Sequence, residues 1–194
     1  TTNAQPEQIV ELLGGWAEAV WDVGIRFGTV GARIDGCQVE ITTYRSESYD
    51  APSRKPEVAF GDNLADDLAR RDFTMNAMAV TLPSMEFVDL FDGIADLAAK
   101  RIRTPGTAQS SFDDDPLRMM RAARFASQLD AIVDTDVVDA MSAQAERISI
   151  VSAERIREEF SKIVMSDHPR VGLTLRVDTG IADIVLPDLP LLRL

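Results

Sequence analysis

The sequence predicts an α+β protein, with strands and helices intermixed up to about residue 107 and helices alone beyond it. Three observations predict this: an Asp35-Gly36 dipeptide between two stretches of β-type alternation, further strand patterns before Gly106, and regular helix punctuation from Asp113 to Gly180. The chain has 194 residues, 45% apolar and 27% charged, which suits folded domains and excludes a disordered or collagen-like chain.

Pro6 to Leu13 carries Pro at its start and ends in Gly14-Gly15, the signature of a short helix. The Gly pair reads as a helix end and lacks the spacing of a phosphate loop. Phe27 to Ile34 and Cys37 to Tyr44 read as a hairpin. In its second strand Glu40 points away from Val39 and Ile41, because strand side chains alternate. That leaves two readings of Glu40, a solvated residue or a carboxylate held rigidly for a metal. Ser46 to Asp66, rich in Ser, Asp, Pro and Gly, reads as a long loop. A helix is expected over Leu64 to Asp72, then strands at Phe73 to Leu82 and Met85 to Phe91 around a Pro83-Ser84 turn. Past Gly106 four helices are expected, from Asp113 to about Leu129, Asp136 to Arg147, Ser152 to Met165 and Arg170 to Thr179. The third has an apolar face of Ile156, Phe160, Ile163 and Val164.

One cysteine, Cys37, and one histidine, His168, exclude an internal disulfide and a Cys/His zinc site. No apolar stretch is long enough to cross a bilayer, and the first residues lack signal-peptide order, so a soluble, cytoplasmic protein is expected. A net charge of -12 argues against a broad sequence-independent nucleic-acid surface. Local clusters remain. Arg70, Arg71, Asp72, Thr74 and Asn76 place cations, an acceptor and an amide at one helix-to-strand junction, suited either to a triphosphate and a ribose or to a surface salt-bridge cluster. On the next helix, a step of about 100° per residue aligns Asp114, Arg118, Arg121 and Arg124, able either to face a nucleobase edge or to stand in solvent. Arg155 and Glu159, four residues apart, read as a structural pair.

These segments also resemble the class II tRNA nucleotidyltransferases, the family of CCA-adding enzymes and bacterial poly(A) polymerases. The resemblance is carried by FGTV from Phe27, VEITTYR from Val39, RRDFTMNAMA from Arg70, VDLFDGIADL from Val88, DDPLRMMRAARFA from Asp114 and ERIREEF from Glu154, in the family's order. It implies a nucleotidyltransferase-type (polymerase β-like) head of about five mixed strands, here incomplete, over residues 1–107, then an all-α neck over 108–194. It also implies a reaction, attack of an RNA 3'-hydroxyl on the α-phosphate of a nucleoside triphosphate with release of pyrophosphate, aided by Mg²⁺. Its partners would be the 3' end of tRNA or another RNA, ATP and CTP, with no membrane.

By the same resemblance Arg70, Arg71, Asp72 and Asn76 would contact triphosphate and ribose. Asp115, Arg118 and Arg121 would read the base, and Glu40 would be one of three metal-binding carboxylates. The family has Glu at the position of Asp114. Its Gly-Gly-x-x-Arg-Asp loop and Asp-x-Asp pair would precede Thr1, so the chain is expected to be a truncated and inactive piece. CCA addition, poly(A) addition and a non-catalytic RNA- or nucleotide-binding role all stay open at this stage.

Overall fold

A computed structural model of the chain describes residues 1–22, 24–47, 58–188 and 191. Two compact units result, Thr1–Ala69 and Arg70–Leu194.

In the first unit α1 (Pro6–Leu13) begins at Pro6 and is boxed by Gln5, whose backbone N–H donates to Gln8 Oε1 at 2.9 Å. Its Ile9 and Leu13, one turn apart, are buried with Val30 and Ala32 of β2 (Thr29–Ile34). β1 (Ala19–Trp21), β2 and β3 (Cys37–Thr42) form an antiparallel sheet in that order. The register Ile34↔Cys37 leaves Asp35 and Gly36 as the turn, at φ 50° and 75°, the left-handed pair that a two-residue hairpin requires. The expected first strand starts later than Phe27, because Ile25–Phe27 is a 3₁₀ turn closed by Gly28.

Within the expected loop at 46–66, β4 (Arg45–Glu47) pairs antiparallel with β5 (Val58–Phe60), and α2 (Leu64–Ala69) follows. The remainder of that loop, residues 48–57, lies outside the described residues. The helix expected to reach Asp72 ends at Ala69.

The second unit is built on α5 (Leu117–Leu129), which packs against α7 (Ala153–Val164) and α8 (Pro169–Asp178). Small residues permit this approach: Ala122, Ala123 and Ala126 are buried, and a Cβ on Gly172 of α8 would lie 2.4 Å from the Ala123 carbonyl oxygen. Gly172 N–H donates to Ser127 Oγ at 2.9 Å, so the contact is also hydrogen-bonded.

Phe73 to Leu82 is not one strand: a 3₁₀ turn at Thr74–Asn76 precedes β6 (Met78–Val80), which pairs with β7 (Phe87–Asp89). The turn forms because Thr74 is held from both sides, its N–H by the Arg103 carbonyl at 2.8 Å and its hydroxyl by Asp96 at 2.7 Å. α3 (Gly93–Ala98) and the short parallel pair β8 (Arg101–Ile102) and β9 (Ile132–Val133) had no clear sequence pattern.

The helix expected from Asp113 to Leu129 is two helices, α4 (Ala108–Asp114) and α5, because Asp115 is extended at φ -142° and ψ 101°. Pro116 is the cause, since a proline disfavours helical geometry in the residue before it. The next expected helix is α6 (Thr135–Gln144) followed by a 3₁₀ segment, Ala145–Ile150. α7 starts at Ser152 as read, with Ile163 buried and Ile156 and Phe160 packed on the core, but Val164 is exposed. α8 stops before Gly180 as read, and α9 (Ile181–Val185) follows it.

Asp89 heads α3 from outside the helix, accepting from the Gly93 and Ile94 backbone N–H groups at 2.7 and 2.9 Å. The Ile94 bond above all, helped by Gly93 and Phe91 against the opposing effect of burial, holds its carboxyl below the usual carboxylate value. A carboxylate with a lowered folded pKa stabilises fully above its unfolded pKa and loses that contribution as pH falls through the folded one. Asp89→Ala is therefore expected to cost about 1 kcal/mol at pH 7, typical of a lost helix cap. In urea melts the gap between the two proteins should close as the pH is taken below 3.8, and a gap that stays constant with pH would rule the cap out.

Candidate functional site

Where α2 ends, the backbone turns and delivers Asp72 into the core of the second unit, 8% exposed and followed by the fully buried Phe73. Each carboxylate oxygen is used. Oδ1 accepts from the Phe73 N–H at 2.9 Å and from Asn76 Nδ2 at 3.0 Å. Oδ2 accepts from Arg121 of α5, through Nε at 2.7 Å and Nη2 at 2.5 Å. The Phe73 ring meets Phe125 edge-on at 5.8 Å, locking the junction to α5 through apolar contact as well.

Around this pair the other expected residues assemble. Arg71 Nη1 donates to the Asn76 carbonyl at 3.0 Å, curling the chain around the turn. Arg118, one turn before Arg121, sends Nη2 to the Arg70 carbonyl at 2.5 Å and Nη1 to Ser111 Oγ at 3.0 Å. The extended Asp115 accepts from the Leu117 N–H through Oδ1, and from Arg155 Nη2 at 2.9 Å through Oδ2. Thus Arg70, Arg71, Asp72, Asn76, Asp115, Arg118 and Arg121 are brought together in the second unit. Glu40 belongs to the first unit, exposed on β3.

Three readings change. Asp114 closes α4 instead of lying on the helix of Arg118, which it meets only at 3.9 Å. Arg155 and Glu159 do not pair with each other: Arg155 takes Asp115, while Glu159, 4% exposed, faces Arg124 at 3.1 Å and Lys162 at 3.3 Å. Arg124 is therefore a half-buried structural cation over the Phe125 ring at 4.2 Å. Burial pushes its guanidinium below the ordinary value, against the Glu159 charge, which raises it. Two partners went unread, Arg155 and the buried Asp96, which accepts from Thr74 and from Arg103 Nε at 2.9 Å. The only local hint of Asp96 was a carboxylate within the apolar repeat of α3.

The chemistry available is a carboxylate just before α5 and two guanidinium forks on its first turns, beside an acid-amide pair. The side chains of Asp115 and Arg121 are about one-third exposed and open to a ligand, whereas Arg118 is nearly enclosed. A group donating to Asp115 Oδ2 would share that oxygen with Arg155 or displace it, the pair being solvent-exposed and exchangeable. For a metal the fit fails: among the described residues no group of three His, Cys, Asp or Glu side chains is placed to hold an ion. Glu40 alone does not make such a site.

Two family profiles match, the poly A polymerase head domain over residues 1–103 and the "Probable RNA and SrmB- binding site of polymerase A" over residues 132–192. The chain belongs to the class II tRNA nucleotidyltransferase and bacterial poly(A) polymerase family. Among its relatives in this family, the CCA-adding enzyme of Lactobacillus helveticus is 43% identical over 97% of the chain and 46% of that enzyme. That of Levilactobacillus brevis is 41% identical over 93% of the chain and 44% of the relative.

The solved CCA-adding enzyme of Bacillus stearothermophilus in complex with CTP superposes with a TM-score of 0.82 at 33% identity, over 92% of this chain and 42% of that one. A CCA-adding enzyme in its apo form II gives 0.80 at 26% identity, over 95% and 44%. The chain thus spans just under half the length of these family members. The fold is the α+β nucleotidyltransferase type, and no helix among the described residues is long and apolar enough to cross a membrane.

Proposed function

We propose that the full-length protein adds CMP and AMP, without a template, to the 3' end of tRNA from CTP and ATP, releasing pyrophosphate. The observation that supports this is the tie between Asp72 and Arg121, which joins the residues given triphosphate binding in this reading to the helix given base reading. In this reading residues 1–107 are the head and 108–194 the neck. Arg70, Arg71, Asp72 and Asn76 hold triphosphate and ribose, while Asp115, Arg118 and Arg121 pair with the base edge. A base amino group donates to Asp115 and a ring or carbonyl acceptor receives from an arginine, a pairing that selects a nucleotide by its own edge and needs no template strand.

Glu40 would serve Mg²⁺ in the full-length enzyme, working in the cytoplasm. The residues described here do not complete that metal site, so no step is derived through it. The 194 residues by themselves are accordingly proposed to be inactive.

The test supplies the full-length protein with tRNA lacking its 3' end and each triphosphate, singly and together, and sequences the products. Additions that stop at CCA are expected. Open-ended runs of A would replace this reading with poly(A) addition, and an absence of any addition would leave a nucleotide- or RNA-binding role in its place.

A further inference from the structure

A second feature, on α8, uses none of the residues assigned above. Arg176 sits one turn after Gly172 on the buried face of α8, with 0% of its surface exposed. Among the described residues its Nε, Nη1 and Nη2 have no hydrogen-bond partner, and the Phe160 ring lies 4.7 Å from the guanidinium carbon. Glu159, next in sequence to Phe160, is engaged elsewhere, facing Arg124 and Lys162. An enclosed guanidinium with no acceptor is among the costliest arrangements a protein interior can hold, and it is ordinarily found with an anion.

Arg176 forms part of the wall of a cavity of about 490 Å³, whose other walls are chiefly Ile148, Val151, Ile156, Phe160 and Ile184. That volume falls among those of small-molecule sites, and an apolar lining with one convergent polar group is their usual make-up. We propose that this cavity binds a carboxylate carried on an apolar body, with Arg176 receiving the carboxylate and the aliphatic and aromatic walls receiving the body. The planar fork of a single guanidinium matches the two oxygens of one carboxylate. A phosphate dianion would bring a second negative charge against apolar walls, where the other lining cation, Arg157, is an exposed residue.

The site shares no residue with the nucleotide cluster, so it stands or falls apart from the proposed transferase activity. Octanoate serves as the probe for a free acid, and a capped Leu-Leu-Glu-Leu-Leu peptide as the probe for an acidic side chain of a polypeptide. Octan-1-ol and octylamine provide the same body without the anion. Calorimetric titration of the 194-residue chain is expected to show octanoate, the peptide or both binding roughly tenfold or more tightly than the uncharged and cationic controls. Arg176→Met should abolish that margin while leaving the binding of octan-1-ol unchanged.

Binding of octanoate alone assigns the site to a free acid, and binding of the peptide alone assigns it to a polypeptide segment. Either supports the proposal. It is overturned if neither probe outbinds octan-1-ol, or if Arg176→Met keeps the full margin while circular dichroism shows it folded.

Discussion

Arg176→Met is expected to stabilise the ligand-free chain, by about 3 kcal/mol at neutral pH. Burial lowers the Arg176 guanidinium to about 10, and at about 1.4 kcal/mol for each tenfold change in proton affinity this corresponds to a cost of that order. The stacked Phe160 ring returns part of it, and methionine retains most of the volume, so the cavity is not enlarged at the expense of packing. The sign follows from protonation. At pH 7 the group is charged whether the chain is folded or not, so the cost stands in full across the neutral range. It diminishes only above about pH 10, where the folded state releases its proton before the unfolded chain does. Thermal melts should show the variant higher by on the order of 10 °C. A lower melting point would mean that the enclosed charge is favourable as it stands.

Asp72→Ala should have the opposite effect, destabilising the Arg70–Leu194 unit by about 2–3 kcal/mol. The carboxylate is 8% exposed and accepts from Phe73, Asn76 and Arg121, so its removal leaves a backbone donor and an amide without their acceptor. Arg121 keeps about one-third of its side chain in solvent and is rehydrated, which holds the effect below that of a fully enclosed broken pair. Asp72→Asn separates the contributions. It can preserve the bond to the Phe73 N–H while removing the charge that Arg121 faces, and should lose about half as much. Urea midpoints for the two variants check this, and equal losses would show that the charge, not the acceptor geometry, is what matters.

How far the site could be read beforehand depended on how local each feature is. The Arg70–Asn76 run and the Asp115–Arg118 stretch were legible because a short motif carries its residue types at fixed spacing, and the structure brings these segments together. Asp115 as a break between two helices was also legible in principle, through Pro116, though the acidic run before it looked like an ordinary helix start. The partner of Arg155 was not. Spacing on α7 offered Glu159, four residues on, but the fold placed Asp115 nearer to it, and Glu159 went to Arg124 of another helix.

The amino-acid sequence by itself determined the hairpin at Asp35-Gly36, the starts of α1 and α7, the end of α8 and the family, because turns, caps and motifs are decided within a few residues of chain. Tertiary structure alone decided that Thr74–Asn76 would coil instead of extending, that Asp72 would meet Arg121, and that Arg176 would be enclosed without an acceptor. Those outcomes depend on Asp96, on α5 and on the packing of α8 against its neighbours, all distant in the chain. Burial and ion pairing are properties of what the fold brings near, and no local pattern specifies them.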